Sequence, residues 1–282
     1  MMNKNKPKLK NTLGLYANEV REHKWTFLVY LVLRALVIAA GIFSFVRGNY
    51  ENVFYCILSL VLFLLPAFVT RNFGIELPQT LEVIVLVFVF AAEILGEMSG
   101  FYQKVAFWDS MLHTVTGFLA AAIGFALLDI FNRNEHFKFQ ISPVYMAVVA
   151  FCFSMTVAAV WEIFEFSMDT FFGFDTQKDM VVNTIGSVSL DLTKSNEVIT
   201  ISDIAKVTLT CADGTVYDLS DYGIYGYLDI GIRDTMKDII VNLIGAVVFS
   251  VIGFFYIKNR GKGKVASRFI PKIRKNNEEK QS

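Results

Sequence analysis

Cysteine is scarce in this chain and odd in number. Cys56, Cys152 and Cys211 show no CxxC spacing, and the first two lie inside apolar runs. That pattern excludes a disulfide framework and a zinc ribbon, and Cys211 reads as a free thiol. A net charge is missing as well, since 26 Lys and Arg balance 26 Asp and Glu. No cleavable signal peptide is expected: about two dozen mostly polar residues precede the first apolar run, which should stay in the mature protein as an anchor. An inverted repeat of helices is absent too, which argues against the common carrier architectures.

What is abundant is apolar surface. Hydrophobic residues make up 54% of the 282 residues, aromatics 15%, and the mean hydropathy is +0.48. These values fit a polytopic membrane protein rather than a soluble domain. Six runs approach the ~20 apolar residues a spanning helix needs. They lie near Trp25 to Val46, Val53 to Thr70, Gln79 to Leu95, Ser110 to Phe131, Val144 to Phe166 and Lys237 to Tyr256. Ser142-Pro143 reads as an N-cap and first-turn proline opening the fifth, Pro78 opens the third, and Pro66 is placed to kink the second. Trp108 and Trp161 fall where interfacial belt residues are expected.

Six crossings put both ends on one side. Taking that side as cytoplasmic gives it 18 of the 26 Lys and Arg, so the positive-inside rule places both termini in the cytoplasm. The remaining basic tail, KNRGKGKVASRFIPKIRK, then faces anionic lipid as an ordinary stop signal. Between the fifth and sixth runs, SVSLDL, EVITI, KVTLTC and TVYDL read as short strands, with Asp213-Gly214 a hairpin turn. This insert carries eleven acids against five bases from Asp175 to Asp238, which argues against nucleic acid as a partner. The expected fold is thus an all-α polytopic membrane protein of six transmembrane helices with a small extracytoplasmic β insert between helices 5 and 6. In residue numbers, 1–24 form a cytoplasmic segment and 25–186 the first five helices plus a short interfacial or re-entrant helix. Residues 187–232 form the β subdomain, 233–257 the sixth helix and 258–282 a basic cytoplasmic tail.

The chain also repeats itself. Asp175 to Gly186 reads DTQKDMVVNTIG, and 59 residues later Asp234 to Gly245 reads DTMKDIIVNLIG. If both copies are helical, Asp175, Asp179 and Asn183 share one face and Asp234, Asp238 and Asn242 another. At ~1.5 Å per residue the proposed topology brings Glu93 and Glu97, Asp109 and His113, Glu162 and Glu165, and the Asp234 end of the sixth helix to one outer layer. Charged groups in a bilayer are costly unless they meet partners or water, so a shared polar pocket is expected. Asp109 and His113, one turn apart, have the spacing of an acid/base pair, and equally that of a structural carboxylate satisfying a buried His. Glu162, Glu165 and Asp238 could hold a divalent cation. With His23 and His136 placed on the cytoplasmic side, one imidazole remains, so zinc is disfavoured and Mg, Mn or Ca preferred. Arg34, inside the first run, is expected to pair with Glu82 or a helix-end carbonyl.

Asp109-x-x-x-His113 with Gly117 following, Glu162 and Glu165 at a helix end, and Asp238-x-x-x-Asn242-x-x-Gly245 opening a last helix together resemble the VanZ-like bacterial membrane proteins. A WE-type helix end ahead of DTQ-x-D is closer to their YjdF-like branch. The likeness runs from about Leu95 to Arg260, and the β insert departs from the VanZ pattern. The resemblance implies a multi-pass protein of the bacterial plasma membrane whose activity is unassigned. Three functions are open at this point. The outer pocket could bind or process an amphiphile or lipid headgroup; the carboxylates could relay protons in an ion-coupled transporter; or the chain could be a non-catalytic scaffold whose insert recognises an envelope protein.

Overall fold

Long apolar stretches become helices because a chain in hydrocarbon must satisfy every backbone N–H and C=O internally. The computed structural model of the protein describes residues 24–73, 75–133, 141–259, 268–270 and 272–273. The N-terminal basic segment, His23, His136 and most of the basic tail lie outside those residues. Among the described residues five helical stretches are long and apolar enough to cross a membrane: Trp25–Val46, Tyr50–Asn72, Trp108–Asp129, Pro143–Phe172 and Ile232–Lys258.

The helices are α1 (Lys24–Val46), α2 (Tyr50–Leu62), α3 (Leu65–Phe73), α4 (Gln79–Val89), the short α5 (Phe101–Lys104), α6 (Trp108–Arg133), α7 (Pro143–Phe172) and α8 (Ile232–Lys258). Helix α7 begins where Ser142-Pro143 predicts, the Ser142 hydroxyl accepting the Tyr145 N–H at 3.2 Å. Pro78 occupies the cap position of α4. The second run breaks rather than bends. Pro66 has no N–H to give back to the preceding turn, and the chain tightens to a Leu64 N–H to Val61 C=O bond before α3 starts.

The third expected span is helical but not uniformly α. From Phe90 to Met98 the turns widen to π geometry with no break at the junction, where Phe90 keeps φ −62° and ψ −41°. Both the amide and the hydroxyl of Ser99 reach the carbonyl of Ile94, five residues back. Such widened turns shift the phase of the helix face. Glu93 is half-buried and Glu97 exposed.

The chain divides into two compact units, residues 1–155 with 242–282, and residues 156–241. The first has two apolar cores. Val37, Cys56, Phe63, Leu86, Val89 and Ile94 hold α1, α2 and α4 together. Ala121, Ala122 and Phe125 of α6, Met146 and Ala150 of α7, and Ala246 and Phe249 of α8 form the other. The small residues let the helices close up, and the Phe249 ring stands edge-on to Phe118 and Phe125 with centroids 5.1 and 5.9 Å apart. The tail is not wholly free. Ile270 is buried in this core, Phe269 packs on Phe118, and β8 (Lys272–Ile273) pairs antiparallel with β1 (Ile75–Glu76). Burial of Ile270, with Phe269 half-buried beside it, holds this segment against the core. Outward, α1 leaves Phe27, Leu28, Leu31, Val32, Leu36, Ile38, Ile42 and Phe43 exposed, an apolar surface suited to lipid rather than water.

The second unit contains the insert, three separate two-stranded antiparallel ladders. Here β2 (Met180–Val182) pairs with β7 (Tyr227–Asp229), β3 (Ile185–Ser187) with β4 (Ile199–Ile201), and β5 (Thr208–Thr210) with β6 (Val216–Asp218). Asp213-Gly214 does turn the last pair: Gly214 sits at φ +86° and the Asp213 carboxylate accepts the Thr215 N–H at 2.9 Å. The expected strand SVSLDL is instead a short 3-10 turn, because the Ser187 hydroxyl caps Ser189 and Asp191 gathers the following loop. Asp191 accepts from the Thr193 amide and hydroxyl, the Ser195 hydroxyl and the Glu197 amide.

These carboxylates give the insert a defined acid limit. The bonds to Asp191 and the Thr215 bonds to Asp213 hold both carboxyls below the ordinary aspartate range, while Lys206 and Ser220 hold Asp218 at about 2 against an ordinary 3.8. Carboxyls lowered in the folded state stabilise it above their unfolded value, and that contribution is lost as pH falls through the folded value. Asp179 has the opposite sign: partial burial, together with the Asp175, Asp169 and Asp229 charges, raises it, so protonating it relieves the fold. The expected result is an insert that keeps its near-ultraviolet tyrosine signal down to about pH 4 and loses it between there and about pH 2. In Asp218→Asn the loss should be shallower, because one of the titrating groups is gone.

Candidate functional site

In the first unit, Asp109 stands in the opening turn of α6 and His113 one turn on. His113 Nε2 lies 3.4 Å from Asp109 Oδ1, and both side chains are half-buried. This contact directs one ring nitrogen at the carboxylate, which fixes the imidazole's orientation and leaves Nδ1 as its second proton site. One turn further, Gly117 lies against the backbone of Asn242, and across the same crossing Gly245 lies against Thr114 and Phe118. Ser154 of α7 donates to the Gly117 carbonyl at 2.8 Å, and the buried Asn242 amide comes within 3.5 Å of the Ser154 hydroxyl. Three helices thus meet at small or hydrogen-bonding side chains directly after the Asp109–His113 pair. Arg34 does not pair with Glu82; its guanidinium stacks on the Tyr30 ring, 4.1 Å from the centroid.

In the second unit, Glu162 and Asp238 are buried, at 5% and 2% relative exposure, and Glu165 is half-buried. The buried stripe of α7 repeats every four residues through Met146, Ala150, Ser154, Ala158 and Glu162. That of α8 opens on Asp234, Asp238 and Asn242 before turning apolar at Ala246 and Phe249. Charge at such positions needs compensation. The Lys237 ammonium supplies part of it, 2.7 Å from Asp234 Oδ1 and 3.6 Å from Asp238 Oδ1.

The two copies of the repeat take different structures. Copy two is helical from its first residue, with the Asp229 carboxylate accepting the Arg233 amide ahead of it. Copy one was expected to be an interfacial or re-entrant helix, yet Asp175 to Asp179 is irregular and Met180–Val182 and Ile185–Ser187 are strands. The local contacts differ. Gly173, at φ +70°, ends α7, and the Asp169 carboxylate accepts the Thr176 and Gln177 amides. The β-branched Val181 and Val182 then pair with β7.

The copies also touch. The Lys178 amide donates to Asp234 Oδ2 at 2.8 Å, and the Gln177 side chain donates to the Thr235 hydroxyl. Copy one therefore closes the start of the copy-two helix, and Gln177, a position where the copies differ, makes one of the two links. Thr176, Gln177 and Thr235 were not singled out by sequence, although the duplicated motif contains all three. Asp175, Asp179 and Asn183 are exposed on the insert. Asn183 serves the insert's architecture, donating to the carbonyls of Ile204 and Tyr225 at 2.7 and 3.1 Å.

Residues 28–194, more than half of the chain, match the family described as predicted membrane protein (DUF2238). The chain belongs to that family. A Thermotoga maritima relative, itself described only as an uncharacterized protein, is 27% identical over 151 residues, covering 53% of this chain and 76% of its own length. No solved structure matches the chain. Membership of DUF2238 agrees with the apolar helices in making the chain an integral membrane protein, and the matched span takes in Asp109, His113, Glu162, Glu165 and the first copy of the repeat.

Proposed function

We propose that this DUF2238 protein is a six-span protein of the bacterial plasma membrane that binds, and chemically alters, an amphiphile headgroup at its outer leaflet. In this reading residues 79–98 form the third of six crossings, both termini are cytoplasmic and the β insert faces outward. The VanZ-like and YjdF-like resemblance is part of the same proposal. The observation that carries the reading is the Asp109–His113 pair, an oriented imidazole on a helix of a membrane protein, where ionisable groups are functional by default.

His113 would move the proton and Asp109 would hold its ring. Glu162, Glu165 and Asp238 would carry a divalent cation of the Mg, Mn or Ca class, for which their oxygen donors are suited. Such an ion at Asp238 must compete with the Lys237 ammonium. Metal analysis of the purified protein and of Asp238→Asn tests that part. For the acid/base part, lipid turnover by the purified chain in an extract of its own membrane is expected to fall by about 10²–10⁴ in His113→Gln, with the melting temperature unchanged. Undiminished turnover in that variant would remove the proposal.

A further inference from the structure

The second unit carries a groove of its own. It has a volume of about 550 Å³ and is lined by Met180 of the insert and by Ile232, Arg233, Met236, Lys237 and Ile240 of the first turns of α8. That volume lies within the range of ligand sites. Ile232, Met236 and Ile240, spaced every four residues, are 62%, 49% and 55% exposed, so the helix presents an apolar stripe that nothing in this unit covers. The stripe continues down α8 through the exposed Ile244, Val248, Val251 and Phe255.

The charge beside the stripe is of one sign. Arg233 and Lys237, one turn apart, line the groove and no carboxylate does. Lys237 is committed to Asp234 and Asp238, whereas among the described residues no carboxylate pairs with the exposed Arg233 guanidinium. A planar guanidinium at the head of an apolar track on a membrane helix matches a phosphate carrying acyl chains. We propose that this groove seats an anionic phospholipid, its phosphate on Arg233 and one acyl chain along Ile232, Met236 and Ile240.

The proposal does not rest on His113. The detergent-solubilised full chain would be titrated with short-chain dioctanoyl phosphatidylglycerol and, separately, with dioctanoyl phosphatidylcholine, and bound lipid counted by native mass spectrometry. The wild type should bind the anionic lipid about tenfold more tightly, Arg233→Gln should reduce that ratio to about two or less, and His113→Gln should leave it unchanged. Equal binding of the two lipids by the wild type, binding of neither, or an undiminished ratio in Arg233→Gln would overturn it. Because Arg233 is exposed, its replacement leaves the packing intact, so a lost ratio is not a folding defect. Retention of the ratio in a turnover-dead His113→Gln would keep the two readings separate.

Discussion

Replacing Gly117 or Gly245 by alanine should be the most destabilising small change in the protein. A methyl group on Gly117 would sit on the carbonyl oxygen of Asn242 and 2.9 Å from its carbon, and one on Gly245 would sit on the carbonyl oxygen of Thr114 and 2.8 Å from the Phe118 nitrogen. In both cases the obstacle is backbone inside a regular helix, which no rotamer change can move. Helices α6 and α8 would have to separate, loosening the core that Ala121 and Ala122 share with Ala246 and Phe249. Overpacking of this kind costs about 3 kcal/mol, which corresponds to a fall of about 10 °C in the melting temperature measured in detergent. Gly253→Ala is the control. Its methyl group would meet only the Phe125 ring, at 2.8 Å, and a ring can tilt, so a smaller fall is expected.

The same crossing shows what could be read in advance and what could not. The apolar runs and the Ser142-Pro143 signal located α1, α6, α7 and α8, because length, hydropathy and capping are local properties. Gly117 and Gly245 were legible as small residues one and two turns from polar ones, but their mutual contact depends on how two helices far apart in sequence cross. In the third run the turns widen to π geometry, and no residue of QTLEVIVLVFVFAAEILGEM marks where the widening begins. The repeat was legible as a pattern and misleading as a structure. Twelve residues with eight identities became strands after Gly173 in one place, where they pair with β7 and β4, and a helix after Gly231 in the other, since the pairing partner and not the shared residues decides. Of the candidate site, the i, i+4 pair Asp109–His113 was readable from spacing alone. The links from copy one to Asp234 and Thr235 were not, because they join a backbone amide to one side chain and a side chain to another across more than fifty residues.

The second large effect concerns sidedness, on which the proposed outer-leaflet role of Asp109, His113 and the buried carboxylates rests. Cys211 follows β5 in the insert and is free and exposed, and the chain's two other thiols lie on helices, Cys56 buried and Cys152 on the apolar surface of α7. A thiolate reacts where water and reagent can reach it, so Cys211 is the thiol that a charged maleimide should find. In intact cells a membrane-impermeant maleimide should label the wild-type protein fully, Cys211→Ser should remain unlabelled, and lysis should add nothing to the wild-type signal. Labelling of Cys211 only after lysis would put the insert in the cytoplasm and contradict the account.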